Sequence, residues 1–196
     1  VCQACGATAL KWAGQCKACG EWNTVIETVI DSHKSQSVRS LAPVSFPQRL
    51  PDIEADQFQR LPVAMGELAR VLGGGVVPGS VALIGGDPGI GKSTLLLQAS
   101  AQLAEGDGAV LYISGEESVH QIKMRADRLN LRQPNLYVVS EVSLDQIVAH
   151  IEQLRPQLVV VDSIQAISTE ELESAAGSVS QVKACATSLL RVAKST

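Results

Sequence analysis

The chain has 196 residues, of which 45% are hydrophobic and 18% charged, and its formal net charge is −4. This length allows one full hydrophobic core and a small appendage, and the slight acidity excludes a globally basic nucleic-acid-binding surface. No apolar run approaches the ~20 residues of a membrane span, and no basic start with an apolar run indicates a signal peptide. We therefore expect a soluble, cytoplasmic protein with no membrane partner.

Two cysteine pairs open the chain, each with the spacing Cys-x-x-Cys, and ten residues separate the pairs. Four thiolates at this spacing can close a tetrahedral zinc site with no open coordination position, which makes the metal structural. We predict that residues 1–28 form a ribbon whose Zn²⁺ ligands are Cys2, Cys5, Cys16 and Cys19. The alternatives are two disulfides or unrelated thiols, and disulfides are rare in the cytosol.

Both tryptophans lie within the predicted ribbon, and the fifth cysteine lies far outside it. Trp12 and Trp22 can cover the small core of the ribbon, which we favour, or an exposed indole can stack on a nucleic-acid base. Cys185 stands alone in a helical pattern, and we expect it to be a buried small hydrophobe.

A polar segment without helical or strand periodicity follows at residues 29–60 and is predicted to be a linker. From residue 61 to 196, apolar strands alternate with amphipathic helices, which predicts an α/β core with a parallel sheet covered on both faces. The predicted strands are Ser80–Ile84, Ala109–Ser114, Asn135–Ser140 and Gln157–Asp162, and the predicted helices are Met65–Leu72, Ser118–Asn130, Leu144–Leu154 and Val179–Lys194.

The segment after the first of these core strands fits the phosphate-loop pattern Gly-x-x-x-x-Gly-Lys-Ser/Thr. Glycines let backbone N–H groups surround phosphate oxygens, and the following helix points its positive end at them. We predict that Lys92 contacts the β- and γ-phosphates and that the Ser93 hydroxyl is a Mg²⁺ ligand. The predicted nucleotide-binding residues are Gly86, Asp87, Pro88, Gly89, Ile90, Gly91, Lys92, Ser93 and Thr94.

Two later strand ends carry acidic residues suited to phosphoryl transfer. Leu158–Asp162 is a hydrophobic strand ending in an acid, so Asp162 is predicted to lie near Mg²⁺; the alternative is an Asp that caps the next helix. Glu116 directly follows another strand end and its glycine, and we predict that it activates water, with Glu117 as the rival. Both glutamates can also be explained as acids favoured by a helix dipole.

Taken together, these motifs resemble the RadA (Sms) family of bacterial DNA repair proteins, which are RecA-like ATPases. The resemblance also includes the segments 72–80, 115–118, 161–165 and 177–182 and covers nearly the whole chain. It implies a RecA-like core, ATP hydrolysis, binding of single-stranded and branched DNA, processing of recombination intermediates with a recombinase filament, and a homohexameric ring.

The chain departs from this family pattern in two places. Val63-Ala64 and Ala69 stand where the family usually has Thr-Gly and an Asp, which leaves the local contacts there in doubt. The sequence also stops at Thr196, before further core strands, a Lys-Asn-Arg-Phe-Gly motif and a Lon-protease-like domain. We therefore expect an N-terminal fragment with an open sheet edge that aggregates or hydrolyses ATP poorly when purified alone.

The sequence is consistent with two different functions. The first is an ATP-driven DNA recombination motor that uses Lys92, Ser93, Glu116 and Asp162. The second is a KaiC-like assembly module, in which ATP stabilises a ring that binds protein partners and no DNA. Basic residues are sparse on the ribbon and the linker, so no DNA-contacting residue is assigned.

Overall fold

The computed structural model describes residues 2, 4, 5, 7, 14–24, 47, 49–52 and 60–195. The described residues belong to two compact units, one within residues 1–54 and the other within residues 55–196. The predicted linker at residues 29–60 lies largely outside the described residues, as does Trp12, so the predicted domain boundaries stay a prediction.

In the described part of the first unit, each cysteine pair lies in a turn that a backbone hydrogen bond closes. The N–H of Cys2 donates to the carbonyl of Ala7, and the N–H of Cys16 donates to that of Glu21, both at 2.9 Å. Gln15 and Trp22 form an antiparallel bridge. The Trp22 side chain is 68% exposed, so the expected packing role is wrong for this tryptophan.

The second unit contains two small sheets. An antiparallel pair joins strand β1 to strand β2, and a parallel sheet has the order β4-β3-β5. In the parallel sheet Ser114 aligns with Ser140 on one side and with Asp162 on the other, so three strand ends meet at one edge. The strands are β1 (Leu61–Pro62), β2 (Gly75–Val76), β3 (Val110–Ser114), β4 (Leu136–Ser140) and β5 (Leu158–Asp162).

Five α-helices connect and cover these strands within the described residues. They are α1 (Gly66–Val71), α2 (Lys92–Leu103), α3 (Val119–Arg128), α4 (Leu144–Leu154) and α5 (Val179–Ser195). Short 3-10 turns occupy Leu50–Asp52 and Ile164–Ala166. The predicted helices are confirmed to within two residues at each end. Among the described residues no helix combines the length and apolar character that a membrane crossing requires.

Strand β3 is the centre of the core because helices cover both of its faces. Leu111 and Ile113 pack in a cluster with Ile147 of α4 and Cys185 of α5. Tyr112, on the opposite face, packs with residues of α2 and α3. All five residues of β3 are buried, and the fully buried Cys185 confirms its expected role. This two-sided burial confirms the predicted α/β class with a parallel sheet.

The strand predicted at Ser80–Ile84 is absent from the structure. A strand requires hydrogen bonds to a neighbour, and no described strand pairs with this segment. Val81 and Leu83 are 56% and 86% exposed, although their apolar sequence predicts burial. The prediction was wrong because an apolar run indicates only where a strand can be buried. It does not indicate a neighbouring strand with which the segment can pair.

Candidate nucleotide and metal sites

The phosphate loop ends at the N-terminus of α2, where backbone N–H groups are free for an anion. Gly91 is the N-terminal cap and has a φ of 102°, and Gly89 has a φ of 78°. These are left-handed conformations that side chains with a Cβ rarely adopt. Gly91 offers no side-chain oxygen to the first turn of α2. The helix therefore presents unsatisfied N–H groups and its positive dipole end to a phosphate.

The other loop residues surround this helix end. The Lys92 ammonium donates to the carbonyls of Gly86 and Asp87 at 2.8 and 2.9 Å, so the side chain lies back across the loop. Pro88 is in the turn, and Ile90 is 70% exposed. Thr94 is half-buried in the first turn of α2. The structure thus brings all nine predicted residues into one loop and helix start.

Asp162 lies at the carboxyl end of β5, next to both β3 and α2. Its Oδ2 accepts a hydrogen bond of 2.6 Å from the Tyr112 hydroxyl, which also lies 3.5 Å from the carbonyl oxygen of Ser93. One hydroxyl therefore contacts both residues predicted to hold Mg²⁺. Burial and the neighbouring Asp162 raise the pKa of Tyr112, so the phenol keeps its proton and remains a donor.

The two glutamates that follow β3 have different partners. Glu116 is exposed, and its Oε1 accepts a hydrogen bond of 2.7 Å from the Ser163 hydroxyl at the end of β5. Glu117 is paired with Arg125 of α3 at 2.5 Å. The buried Ser114 hydroxyl accepts from the N–H of Glu117 at 2.9 Å and shapes this turn. Glu116 is therefore held at the end of β5, whereas Glu117 is held against α3.

The four cysteine sulfurs form a compact cluster. All four lie within 4.8 Å of one another, and two pairs, Cys2 with Cys19 and Cys5 with Cys16, are 3.7 Å apart. Four Zn–S bonds of ~2.3 Å in a tetrahedron place the sulfurs about 3.8 Å apart, so the cluster fits zinc. The described cysteines are all free thiols, and neither pair forms the alternative disulfide.

Hydrogen bonds favour the thiolate, which is the metal-binding form, at Cys2 and Cys16. The Thr24 hydroxyl lies 3.3 Å from the sulfur of Cys2, and this contact is the main reason that the Cys2 pKa falls to about 6. Backbone N–H groups of Cys19 and Ala18 lower the pKa of Cys16. At Cys19 the backbone N–H of Glu21 lowers the pKa, but the neighbouring Cys5 sulfur and burial outweigh it and raise the pKa of that thiol. Gly20, which directly follows Cys19, has a φ of 79°, a left-handed conformation that favours glycine.

Several residues at these sites were missed by the sequence analysis. Each is a polar side chain that lies close in space to a residue of a recognised motif. Ser163 directly follows the predicted metal ligand, which was an available signal. No pattern along the chain indicated the others. The missed residues are Tyr112, Ser114, Arg125, Ser163 and Thr24.

Curated proteins similar to this chain are named DNA repair protein RadA. The chain is 49% identical to the one from Bacillus subtilis over 204 residues, 50% identical to the one from Listeria monocytogenes over 195, and 49% identical to the one from Pseudomonas aeruginosa over 195. These alignments cover 98–99% of the chain and 43% of each relative. The chain thus spans less than half the length of these relatives, and the predicted resemblance is confirmed.

Comparisons of structure and of family models agree with this result. The flagellar accessory protein FlaH from Methanocaldococcus jannaschii shares the fold with a TM-score of 0.52 at 17% identity, over 70% of this chain and 66% of that one. A model described as a rubredoxin metal binding domain matches residues 1–27. A model described as an AAA domain matches residues 47–196. The chain therefore belongs to the AAA domain family, with an N-terminal metal-binding ribbon before a RecA-like core.

Proposed function

We propose that this protein binds ATP with Mg²⁺ at the loop Gly86–Thr94, hydrolyses it, and couples the nucleotide to binding of single-stranded or branched DNA in recombination. The observation that carries the ATPase proposal is the meeting of three features at one sheet edge: the N-terminus of α2, Asp162 and Glu116. The names of the relatives support the DNA-repair role.

Each residue of the site has a role that its chemistry supports. The backbone N–H groups at the start of α2 and the Lys92 ammonium bind the phosphates. The Ser93 hydroxyl and the Asp162 carboxylate are hard oxygen donors, the ligand type that Mg²⁺ prefers. When bound, the cation neutralises charge on the phosphate oxygens, and this lowers the barrier to phosphoryl transfer.

Hydrolysis requires a water molecule in line with the γ-phosphate. As the water oxygen forms its bond to phosphorus, the bond from phosphorus to the β,γ-bridging oxygen breaks, and ADP and phosphate are released. Glu116 orients this water and accepts its proton. The hydrogen bond from Ser163 holds one oxygen of Glu116, which fixes the direction of the carboxylate at the strand end.

The ribbon is a structural module in this proposal. Cys2, Cys5, Cys16 and Cys19 hold Zn²⁺ in a site with no open position, so the metal stabilises the fold and takes no part in the chemistry. The full-length protein is proposed to work in the cytoplasm as a homohexamer that cooperates with a recombinase filament.

Replacing Lys92 with Ala tests the ATPase proposal. Removing a preorganised cation from the transferring phosphate is expected to lower ATP turnover by ~100-fold or more. The assay is steady-state phosphate release by the full-length protein, with Lys183→Ala, an exposed lysine on α5, as the matched control. Turnover that is equal in both variants would refute the assignment of the loop.

A further inference from the structure

Tyr112 is held rigidly by the core. It is fully buried, and its ring packs in one cluster with Leu97 of α2, Ile122 of α3 and Val160 of β5. Because Tyr112 aligns with Val160, it lies on the same sheet face as Asp162, two residues or about 6.6 Å further along β5. The long phenol spans this distance and brings its hydroxyl to the sheet edge.

The Tyr112 hydroxyl connects the core to the proposed magnesium site. A buried hydroxyl needs a hydrogen-bond partner, and here the partner is Oδ2 of Asp162 at 2.6 Å. Among the described residues this is the hydrogen bond that restrains the Asp162 carboxylate. Its second oxygen, Oδ1, remains available. The backbone oxygen of Ser93, 3.5 Å from the same hydroxyl, ties the start of α2 to this point.

We propose that Tyr112 is a positioning residue whose hydroxyl fixes the Asp162 carboxylate for Mg²⁺. This inference rests on the proposed magnesium–ATP site. The hydroxyl does not touch the nucleotide in this account and acts through Asp162. A carboxylate fixed in advance needs no reorganisation when the cation arrives, and groups that orient a ligand in this way commonly contribute 10- to 100-fold to metal affinity.

The test is the magnesium requirement of nucleotide binding. Tyr112→Phe retains the packed ring and removes the hydroxyl. Binding of a ribose-labelled fluorescent ATP analogue to the full-length protein is followed by anisotropy while MgCl₂ is titrated. We expect the half-saturating magnesium concentration to rise ~10-fold, with analogue affinity in EDTA unchanged. Tyr137→Phe, which removes a hydroxyl from a 46% exposed tyrosine on β4, is expected to match the wild type.

A double-mutant cycle identifies the route of the effect. If Tyr112 acts through Asp162, the Tyr112→Phe effect on the magnesium requirement disappears in an Asp162→Asn background. An unchanged or lowered magnesium requirement in Tyr112→Phe would overturn the inference. So would an equal loss of analogue binding in EDTA, because that result indicates general support of the fold.

The wild type separates this inference from the proposed function. Analogue binding by the wild type that ignores magnesium, or that survives in Lys92→Ala, contradicts the nucleotide site itself. If the wild type and Lys92→Ala behave as expected while Tyr112→Phe matches the wild type, the nucleotide site stands and the positioning role of Tyr112 is wrong.

Discussion

Glu116 and Glu117 are neighbours in the chain, yet the turn after β3 sends them to different partners. Glu116 faces the end of β5 through Ser163, whereas Glu117 faces α3 through Arg125. The Arg125 side chain is 12% exposed and that of Glu117 is 39% exposed, so this ion pair is partly shielded from water. The position of Glu116 suits a role in the proposed ATP hydrolysis, whereas the ion pair of Glu117 suits a role in stabilising α3.

Glutamine substitutions distinguish these two roles. Glu116→Gln removes the proton acceptor, and we expect a 10²- to 10³-fold fall in single-turnover ATP hydrolysis with nucleotide affinity retained. Glu117→Gln leaves the Arg125 charge without its counter-ion, and we expect a loss of about 1–2 kcal/mol in unfolding free energy with a smaller effect on turnover. The measurements are quenched-flow hydrolysis and thermal denaturation. The reverse pattern would make Glu117 the water-activating residue.

Gly115 explains why this turn can lie so close to β5. A Cβ at this position would come within 2.5 Å of the Cβ of Ala166, in the 3-10 turn that follows β5. Glycine therefore allows the two strand ends to approach, and this approach lets Ser163 reach Glu116. The sequence indicated the glycine and the two acidic strand ends, but the close contact between them is a property of the assembled sheet.

At the scale of secondary-structure elements, the sequence predicted the features that depend on local residue patterns. The amphipathic period of α4 gave both of its ends, and apolar runs located β3, β4 and β5 within one residue. The segment Ser80–Ile84 has the same kind of pattern but no partner among the described strands, so its assignment failed. Likewise the phosphate loop was evident from its glycines, whereas the contact of Tyr112 with Asp162 depends on the register of β3 and β5.

We expect the stability of the ribbon to depend on a bound metal. Its described buried cluster contains two cysteines, Cys2 and Cys16, with Ala7 packed against them. Because the described part of the ribbon buries so little apolar surface, we expect zinc binding to supply its folding free energy.

We expect Cys16→Ser to lose zinc and unfold the ribbon, because three thiolates bind the metal far more weakly than four. The measurement is zinc per chain by mass spectrometry after dialysis against a competing chelator, followed by Trp fluorescence. The matched control is Cys185→Ala, which changes a buried cysteine in α5 outside the cluster. Zinc retained at one per chain in Cys16→Ser would contradict the four-thiolate site.

At the scale of the whole molecule, two units carry separate chemistry. The first unit presents a cluster of four cysteines and an exposed indole at Trp22, and an exposed indole can stack on a base. The second unit presents the loop Gly86–Thr94, the N-terminus of α2 and two acids, Asp162 and Glu116, which form the proposed ATP site. A net charge of −4 over these 196 residues provides no long-range attraction for DNA, so DNA affinity of this part of the protein would come from local contacts.

The most direct test of the account is the nucleotide dependence of single-stranded DNA binding by the full-length protein. Anisotropy of a labelled oligonucleotide is measured with Mg²⁺ and ATP, with ADP, and without nucleotide, over a range of salt concentrations. We predict that DNA binding requires ATP and that the affinity falls as salt rises, because phosphate contacts release counterions. In Lys92→Ala, we predict that ATP no longer raises the affinity for DNA. Active ATP hydrolysis without any salt-sensitive DNA affinity would contradict the account and favour an assembly module that binds protein partners.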